Sequence, residues 1–195
     1  EYMQKAVLSE EDRLLVLNYI MSESRRLQTV ASQLLELASL QNNPITCEEL
    51  KVSSLFETVR QTLYGKIEEK DVQIEFSSEI ETICGDSYLM ESMLINLIGN
   101  AIKACGKGGH IIVSAAKEAG RKTISVRDNG KGMTPEVLSQ ITEPFYRGEK
   151  SRNRNDGGAG LGLALCKQIA SSHDAELSFS SRPGEGTTAK ITFTT

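Results

Sequence analysis

The chain has 195 residues, of which 39% are apolar and 25% charged, and carries a net charge of −4. This is the composition of an ordinary globular domain, or of one domain with an appendage. The mixed, slightly acidic charge excludes general affinity for nucleic acid, which needs a basic face, and no apolar run or signal-peptide pattern marks a membrane span or a leader.

Residues Glu1 to Leu8 read as the tail of an element whose start is missing. Ser9-Glu10-Glu11-Asp12 is a helix N-terminus, a capping serine followed by three acids in the first turn. A long helix is expected from there to about Leu40. Ile20, Leu27 and Leu34 lie seven apart, as do Val30 and Leu37, and Met21, Ala31, Leu35 and Ala38 widen the stripe. Such a heptad seam wants a partner helix. Glu23, Arg25, Arg26 and Glu36 are expected on the outer, charged face. Asn42-Asn43-Pro44 breaks the helix, so the domains are expected to be 1–43, a helical segment, and 44–195.

In the second part, Ser54-Leu55-Phe56-Glu57 has the form of a capping box opening a helix to about Glu69. Val72, Ile74 and Phe76 alternate with polar residues as in a strand, and Ile80 to Ile83 is a second short one. A helix is expected over Ser87 to Cys105, then strands over His110 to Ala116 and Thr123 to Arg127, joined by a turn at Glu118-Ala119-Gly120. Thr134 caps a short helix with Pro135 at its first position. Glu143 to Gly158 is polar, glycine-containing and long enough for a lid. A helix to about Ser172 and strands over Glu176 to Ser180 and Thr187 to Phe193 complete the chain. The fold class expected is α+β: a two-layer α/β sandwich with a mixed sheet, preceded by a long N-terminal helix. Cys47, Cys84, Cys105 and Cys166 are far apart in sequence and read as buried, reduced thiols, neither a disulfide framework nor a zinc site.

Three stretches carry chemistry. Asp156-Gly157-Gly158-Ala159-Gly160-Leu161-Gly162 precedes a helix, an arrangement that aims bare N–H groups and the positive dipole end at one point, suited to a phosphate. Asn96, Asn100 and Lys103 share one face of a helix. An asparagine oxygen can complete a magnesium octahedron made mainly of phosphate oxygens and water, and a lysine adds a point charge for phosphate. Leu94, Ile95, Leu97, Ile98, Ala101 and Ile102 surround them, so this helix is expected to be mostly buried. Asp128-Asn129-Gly130-Lys131-Gly132 follows a strand. Its carboxylate can accept from an exocyclic amine such as that of adenine, while its glycines let a flat base approach. The same five residues also read as a plain Asp-Asn-Gly turn.

Together these stretches resemble the boxes of sensor histidine kinases. Asn96-Leu97-Ile98-Gly99-Asn100-Ala101-Ile102-Lys103 resembles the N box, Asp128 to Gly132 the first glycine box, and Pro144-Phe145-Tyr146-Arg147 the F box. Gly158-Ala159-Gly160-Leu161-Gly162-Leu163 resembles the second glycine box, and Gly184-Glu185-Gly186-Thr187 the closing turn. All five stand in the family's order. Glu23 to Leu27 and Leu34 to Leu37 are in the style of the second helix of its dimerisation and phosphoacceptor hairpin.

The resemblance implies a Bergerat-type ATP-binding fold of the superfamily that also holds gyrase and heat-shock-ninety proteins. It implies ATP and Mg2+ as cofactors, Asp128 on the adenine amine, Asn100 on the metal, and Asn96 and Lys103 as catalytic contacts to phosphate and metal. Gly130 and Gly132 would shape the base pocket. Gly158, Gly160, Leu161 and Gly162 would face phosphates, Phe145 and Arg147 would belong to the lid, and Thr187 to the pocket floor. The implied partners are a response regulator receiver domain and a second copy of the parent, paired through the N-terminal helix. The implied setting is the cytoplasmic side of a parent anchored in the plasma membrane. The phosphoacceptor histidine belongs on a helix upstream of Glu1. His110 and His173, the two histidines present, do not match it. Asp174 stands where the family usually has glycine. The rival readings are a degenerate nucleotide-binding or scaffolding module, and another Bergerat ATPase or serine kinase.

Overall fold

The computed structural model describes residues 9–42, 45–147 and 159–194. The expectations for residues 1–8, for the break at Asn43-Pro44 and for the lid from residue 148 through Gly158 lie outside them.

Helix α1 spans Glu10–Asn42. Ser9 caps it, its Oγ accepting from the Asp12 N–H at 3.1 Å. Strand β1 (Glu48–Lys51) and helix α2 (Val52–Lys70) follow. Ser54 is not the cap expected from the sequence. The helix begins two residues earlier, Lys51 in the cap position makes no side-chain cap bond, and the Val52 N–H donates to the Glu81 carbonyl at 2.9 Å. A long-range carbonyl thus holds the first N–H of a helix that starts ahead of Ser54.

After β2 (Gln73–Ser78) and β3 (Thr82–Gly85), helix α3 covers Ser87–Ala104. Asp86 caps it by accepting from the Leu89 N–H at 3.0 Å. Strands β4 (His110–Glu118) and β5 (Arg121–Asp128) form a hairpin whose two turn residues, Ala119 and Gly120, both have positive φ, as a two-residue turn between twisted strands requires. The short helix α4 (Pro135–Leu138) starts at Thr134, whose side chain makes no cap bond. That hydroxyl bonds the Glu136 carboxylate instead and lowers its pKa. Helix α5 (Gly162–Ser172) and strands β6 (Ala175–Arg182) and β7 (Gly186–Phe193) complete the domain.

The main sheet has the order β2-β4-β5-β7-β6, with β2 and β4 parallel and the other pairs antiparallel. Period-two side chains divide it. Ile111, Val113, Ile124, Val126, Ala189 and Ile191 are buried, whereas Ser114, Ser125 and Lys190 are not. Helices α2, α3 and α5 cover the apolar face, with Leu63, Met90, Leu94, Ile98, Leu165 and Ile169 fully enclosed. The expected two-layer sandwich is therefore what forms. β1 and β3 make a separate two-stranded ribbon, and β1 had no sequence signal, since Glu48-Glu49-Leu50-Lys51 lacks β-branched residues.

Three further expectations are corrected. Only Cys166 is buried; Cys47 and Cys84 are exposed and Cys105 is intermediate. Glu36 does not face outward. Burial raises its pKa, a hydrogen bond with Ser92 opposes the rise, and its Oε1 is a buried atom without a partner among the described residues. Nor is the α1 seam one continuous face: Leu37 and Leu40 pack against the core, while Leu27 and Leu34 remain 67% and 44% exposed. The reason is common to the last two. α1 meets α5 along its C-terminal part, and the helix phase that buries Leu37 and Leu40 also brings Gln33 and Glu36 inward.

His173 caps the end of α5 and is buried. Its Nε2 accepts from the Asp86 N–H at 2.9 Å, so the ring proton sits on Nδ1 and is donated to the Ile169 carbonyl at 2.8 Å. The side chain pins the head of α3 to the tail of α5. His173→Ala is expected to lower stability by about 1–3 kcal/mol, the cost of leaving buried groups unpaired, read as a shift in the urea midpoint; an unchanged midpoint would remove the pin. Asp174, next in the chain, has φ 50. The left-handed turn that glycine would favour is kept, with an aspartate that tolerates it.

Candidate functional site

The site is built where three loops meet the ends of α3 and β5. Asp128 ends β5 and is 6% exposed. Its Oδ1 accepts from the Gly130 N–H at 2.8 Å and the Thr187 N–H at 3.3 Å. Burial raises its pKa, and the two backbone N–H groups oppose the rise. Both bonds go to Oδ1; Oδ2 accepts from none of the described residues. The Gly130 bond is the local turn that the sequence also allowed, so turn and ligand roles coexist on one carboxylate.

Asn129, the next residue, does structural work that the sequence did not single out. Its Oδ1 accepts from the His110 N–H at 2.8 Å, which fixes the start of β4. Gly130 and Gly132 lie tight against other backbone. A Cβ on Gly130 would lie 2.6 Å from the Ala104 carbonyl carbon and oxygen, and one on Gly132 would lie 1.9 Å from the Arg182 oxygen. Their bareness admits the protein's own backbone. The loop is thereby pressed between the end of α3 and the β6–β7 turn, as the bonds from Lys131 N to Ala104 O and from Gly184 N to Lys131 O show.

Asn96, Asn100 and Lys103 lie along the open face of α3, opposite Leu94, Ile98 and Ile102. They are less buried than expected, Asn96 half-buried and Asn100 and Lys103 exposed. Asn96 donates from Nδ2 to the Ser92 carbonyl at 2.9 Å and accepts on Oδ1 from Gln33 Nε2 at 3.4 Å. The N-terminus of α5 comes against the same oxygen: a Cβ on Gly162 would lie 2.8 Å from Asn96 Oδ1. The bare N–H end of an eleven-residue helix therefore stands beside the asparagine face. Residues 85–195 match the model of the histidine kinase-, DNA gyrase B- and HSP90-like ATPases. The chain belongs to this ATPase family.

Relatives narrow the branch. Over 175 residues the chain is 37% identical to the sensor histidine kinase YkoH of Bacillus subtilis, a match covering 89% of this chain but 38% of that protein. The chain thus spans well under half of that relative's length. Two solved structures share its fold. The histidine kinase AdeS of Acinetobacter baumannii superposes with a TM-score of 0.79 at 18% identity, covering 98% of this chain and 88% of that one. Histidine kinase ThkA, in complex with the response regulator protein TrrA, superposes at 0.78 with 23% identity, covering 98% and 54%.

Within this ATPase fold the remaining expected residues fall as follows. Gly160 has φ 75, and a Cβ there would lie 2.7 Å from the Tyr146 oxygen; the Phe145 N–H donates to the Gly160 carbonyl at 2.9 Å. The F-box stretch and the second glycine box are thus clasped together, with the Phe145 ring exposed and its φ at 65. Arg147 is the last described residue before Gly158, which lies outside the described segments. Leu161 is 1% exposed and packs into the core. Thr187 bonds Asp128 through its N–H, while its Oγ1 meets Ser181 Oγ at 2.9 Å. Ser181 was missed. It accepts from the Met133 N–H and donates to the Gly186 carbonyl, both at 2.9 Å, and so ties the first glycine box to the closing turn. A serine in an alternating strand carries no local mark of that role. No described helix is long and apolar enough to cross a membrane.

Proposed function

We propose that this chain is the catalytic portion of a sensor histidine kinase, binding Mg-ATP and delivering the γ-phosphoryl to an imidazole supplied by a helix outside it. The supporting observation is the juxtaposition of Asn96, the N-terminus of α5 and, one helical turn along α3, Asn100, within a family of ATPases. Among the described residues no three His, Cys, Asp or Glu side chains form a metal cluster. This donor set suits Mg2+, which keeps waters and takes phosphate oxygens with few protein ligands. Asn100 would hold it, and when bound it neutralises charge on the phosphate oxygens. Asp128 would read the base amine through Oδ2. Asn96 and Lys103 would position the phosphates, and Gly160, Leu161, Gly162 and Gly158 would offer backbone N–H groups. Phe145 and Arg147 would begin the lid, and Gly130, Gly132 and Thr187 would hold the base pocket in shape. Catalysis of this kind is mostly positioning and charge neutralisation.

Neither histidine fits the acceptor role. Both ring nitrogens of His173 are engaged, and His110 Nε2 meets Glu75 Oε1 at 3.0 Å on the sheet. With labelled Mg-ATP the chain alone is expected to gain no acid-labile phosphate, and a supplied acceptor helix is expected to gain it. Label on His110 or His173 would refute the assignment. Tight Mg-ATP binding with no transfer to any acceptor helix would favour a nucleotide-binding scaffold.

The division at 43/44 belongs to the same proposal, with residues 1–43 as half of a dimerisation hairpin and 44–195 as the ATP-binding domain. So do a response regulator as downstream partner, absence of nucleic-acid binding, a cytoplasmic site of action and a membrane-anchored parent. The parent would pair through α1, whose Leu14, Leu15, Ile20, Met21, Leu27 and Leu35 are each about half exposed or more. An uncovered stripe of this kind seeks a partner. Sedimentation is expected to show concentration-dependent dimers, abolished by Leu27→Glu with Leu34→Glu; a monomer at every concentration would remove the role of α1.

A further inference from the structure

The β1–β3 ribbon brings together two cysteines that are distant in sequence. Its register pairs Glu48 with Gly85 and Glu49 with Cys84. Cys47 directly precedes Glu48, and its thiol hydrogen-bonds the Cys84 thiol across the ribbon. Both thiols are free and exposed. Cys47 stands just past the last paired residue, where the ladder does not hold its backbone.

We infer that Cys47 and Cys84 form a reversible disulfide that staples the segment leaving α1 to the head of α3. The oxidant is a peroxide or a small-molecule disulfide. With hydrogen peroxide, the Cys84 sulfur takes one oxygen to give a sulfenic acid and one water leaves. The Cys47 sulfur then attacks the Cys84 sulfur, the S–S bond forms, and the hydroxyl departs with the Cys47 proton as a second water. Two thiols are oxidised by two electrons, and the peroxide is reduced. Burial, then the charge and hydrogen bonding of Cys84, then Asp174 and Asp86 push the Cys47 thiol up.

The position gives the bond a consequence. Cys84 precedes Gly85 and the Asp86 cap of α3, the helix that carries Asn96 and Asn100, and Cys47 lies five residues beyond the end of α1. A staple there limits how far α1 can turn away from α3, two helices already in contact through Gln33 and Asn96.

The test uses the whole chain treated with hydrogen peroxide or oxidised glutathione, then alkylated and digested. The expected result is loss of two of the four thiols, a Cys47–Cys84 linked peptide, and a rise in Tm of about 5 °C or more from the closed loop, reversed by dithiothreitol. Cys47→Ser is expected to leave a glutathione adduct on Cys84 without the rise, and Cys105→Ser to change nothing. Separate adducts on Cys47 and Cys84 in the wild-type chain, a link to Cys105, or covalent dimers on a non-reducing gel would each overturn the inference.

Discussion

Asp128→Asn is expected to weaken ATP binding roughly tenfold or more, because a charged hydrogen bond is worth about 1.5–3 kcal/mol. The variant keeps the local fold. An amide oxygen in the Oδ1 position can still accept from Gly130 N and Thr187 N, while the amide nitrogen in the Oδ2 position would present a donor to the donor amine of adenine. A guanine nucleotide carries an acceptor at that point. The ratio of ATP to GTP affinity should therefore fall further than ATP affinity alone. Equal affinities for wild type and variant, by calorimetry, would remove Asp128 as the base reader.

The pH dependence has a fixed sign. Burial raises the Asp128 pKa in the folded chain, so the folded state holds a proton up to a higher pH than the unfolded state. The raised pKa costs stability above that range, and the cost is relieved as pH falls through it. Base recognition needs the carboxylate, so ATP affinity falls over the same interval. The Asn variant, with no proton to gain, should show neither trend. Opposite movement of stability and affinity on acidification is the signature to look for.

Gly186→Ala is expected to destabilise the fold by at least about 3 kcal/mol, through a left-handed backbone conformation and a collision together. Gly186 has φ 98, and a Cβ there would lie 1.9 Å from the Asp128 carbonyl oxygen and 2.9 Å from Asn129 Cα. The strands would have to part where Asp128 is set, so nucleotide binding should fail with the fold. Gly184 separates the two causes. It has φ 80 and open space around its missing Cβ, so Gly184→Ala should cost only the conformational part, about 1–2 kcal/mol. Urea unfolding of both variants gives the comparison. A Gly186→Ala midpoint no lower than that of Gly184→Ala would show that the contact relaxes freely.

Much of the domain was legible because its signals are local. Ser9 marks a helix start through its own side chain. Val72, Ile74 and Phe76 declare a half-buried strand by alternation. The spacing of Asn96, Asn100 and Lys103 puts them on one face of any helix, whatever packs around it. The order of the five boxes then identified the family and the sandwich.

What the tertiary structure decided are matters of contact between distant segments. Glu81, a long-range carbonyl, holds the first N–H of α2, which starts ahead of the cap expected at Ser54. The docking of α1 on α5 set the helix phase, turning Glu36 inward and leaving Leu27 out. Backbone at Ala104 and Arg182 fills the spaces that the glycines of the first box leave bare. The ribbon of β1 and β3 brings Cys47 to Cys84, and Ser181 ties the first glycine box to the closing turn. Period and capping act over a few residues and leave their trace in the order of side chains. A contact across the fold depends on which surfaces meet, and that is settled only when the whole core closes.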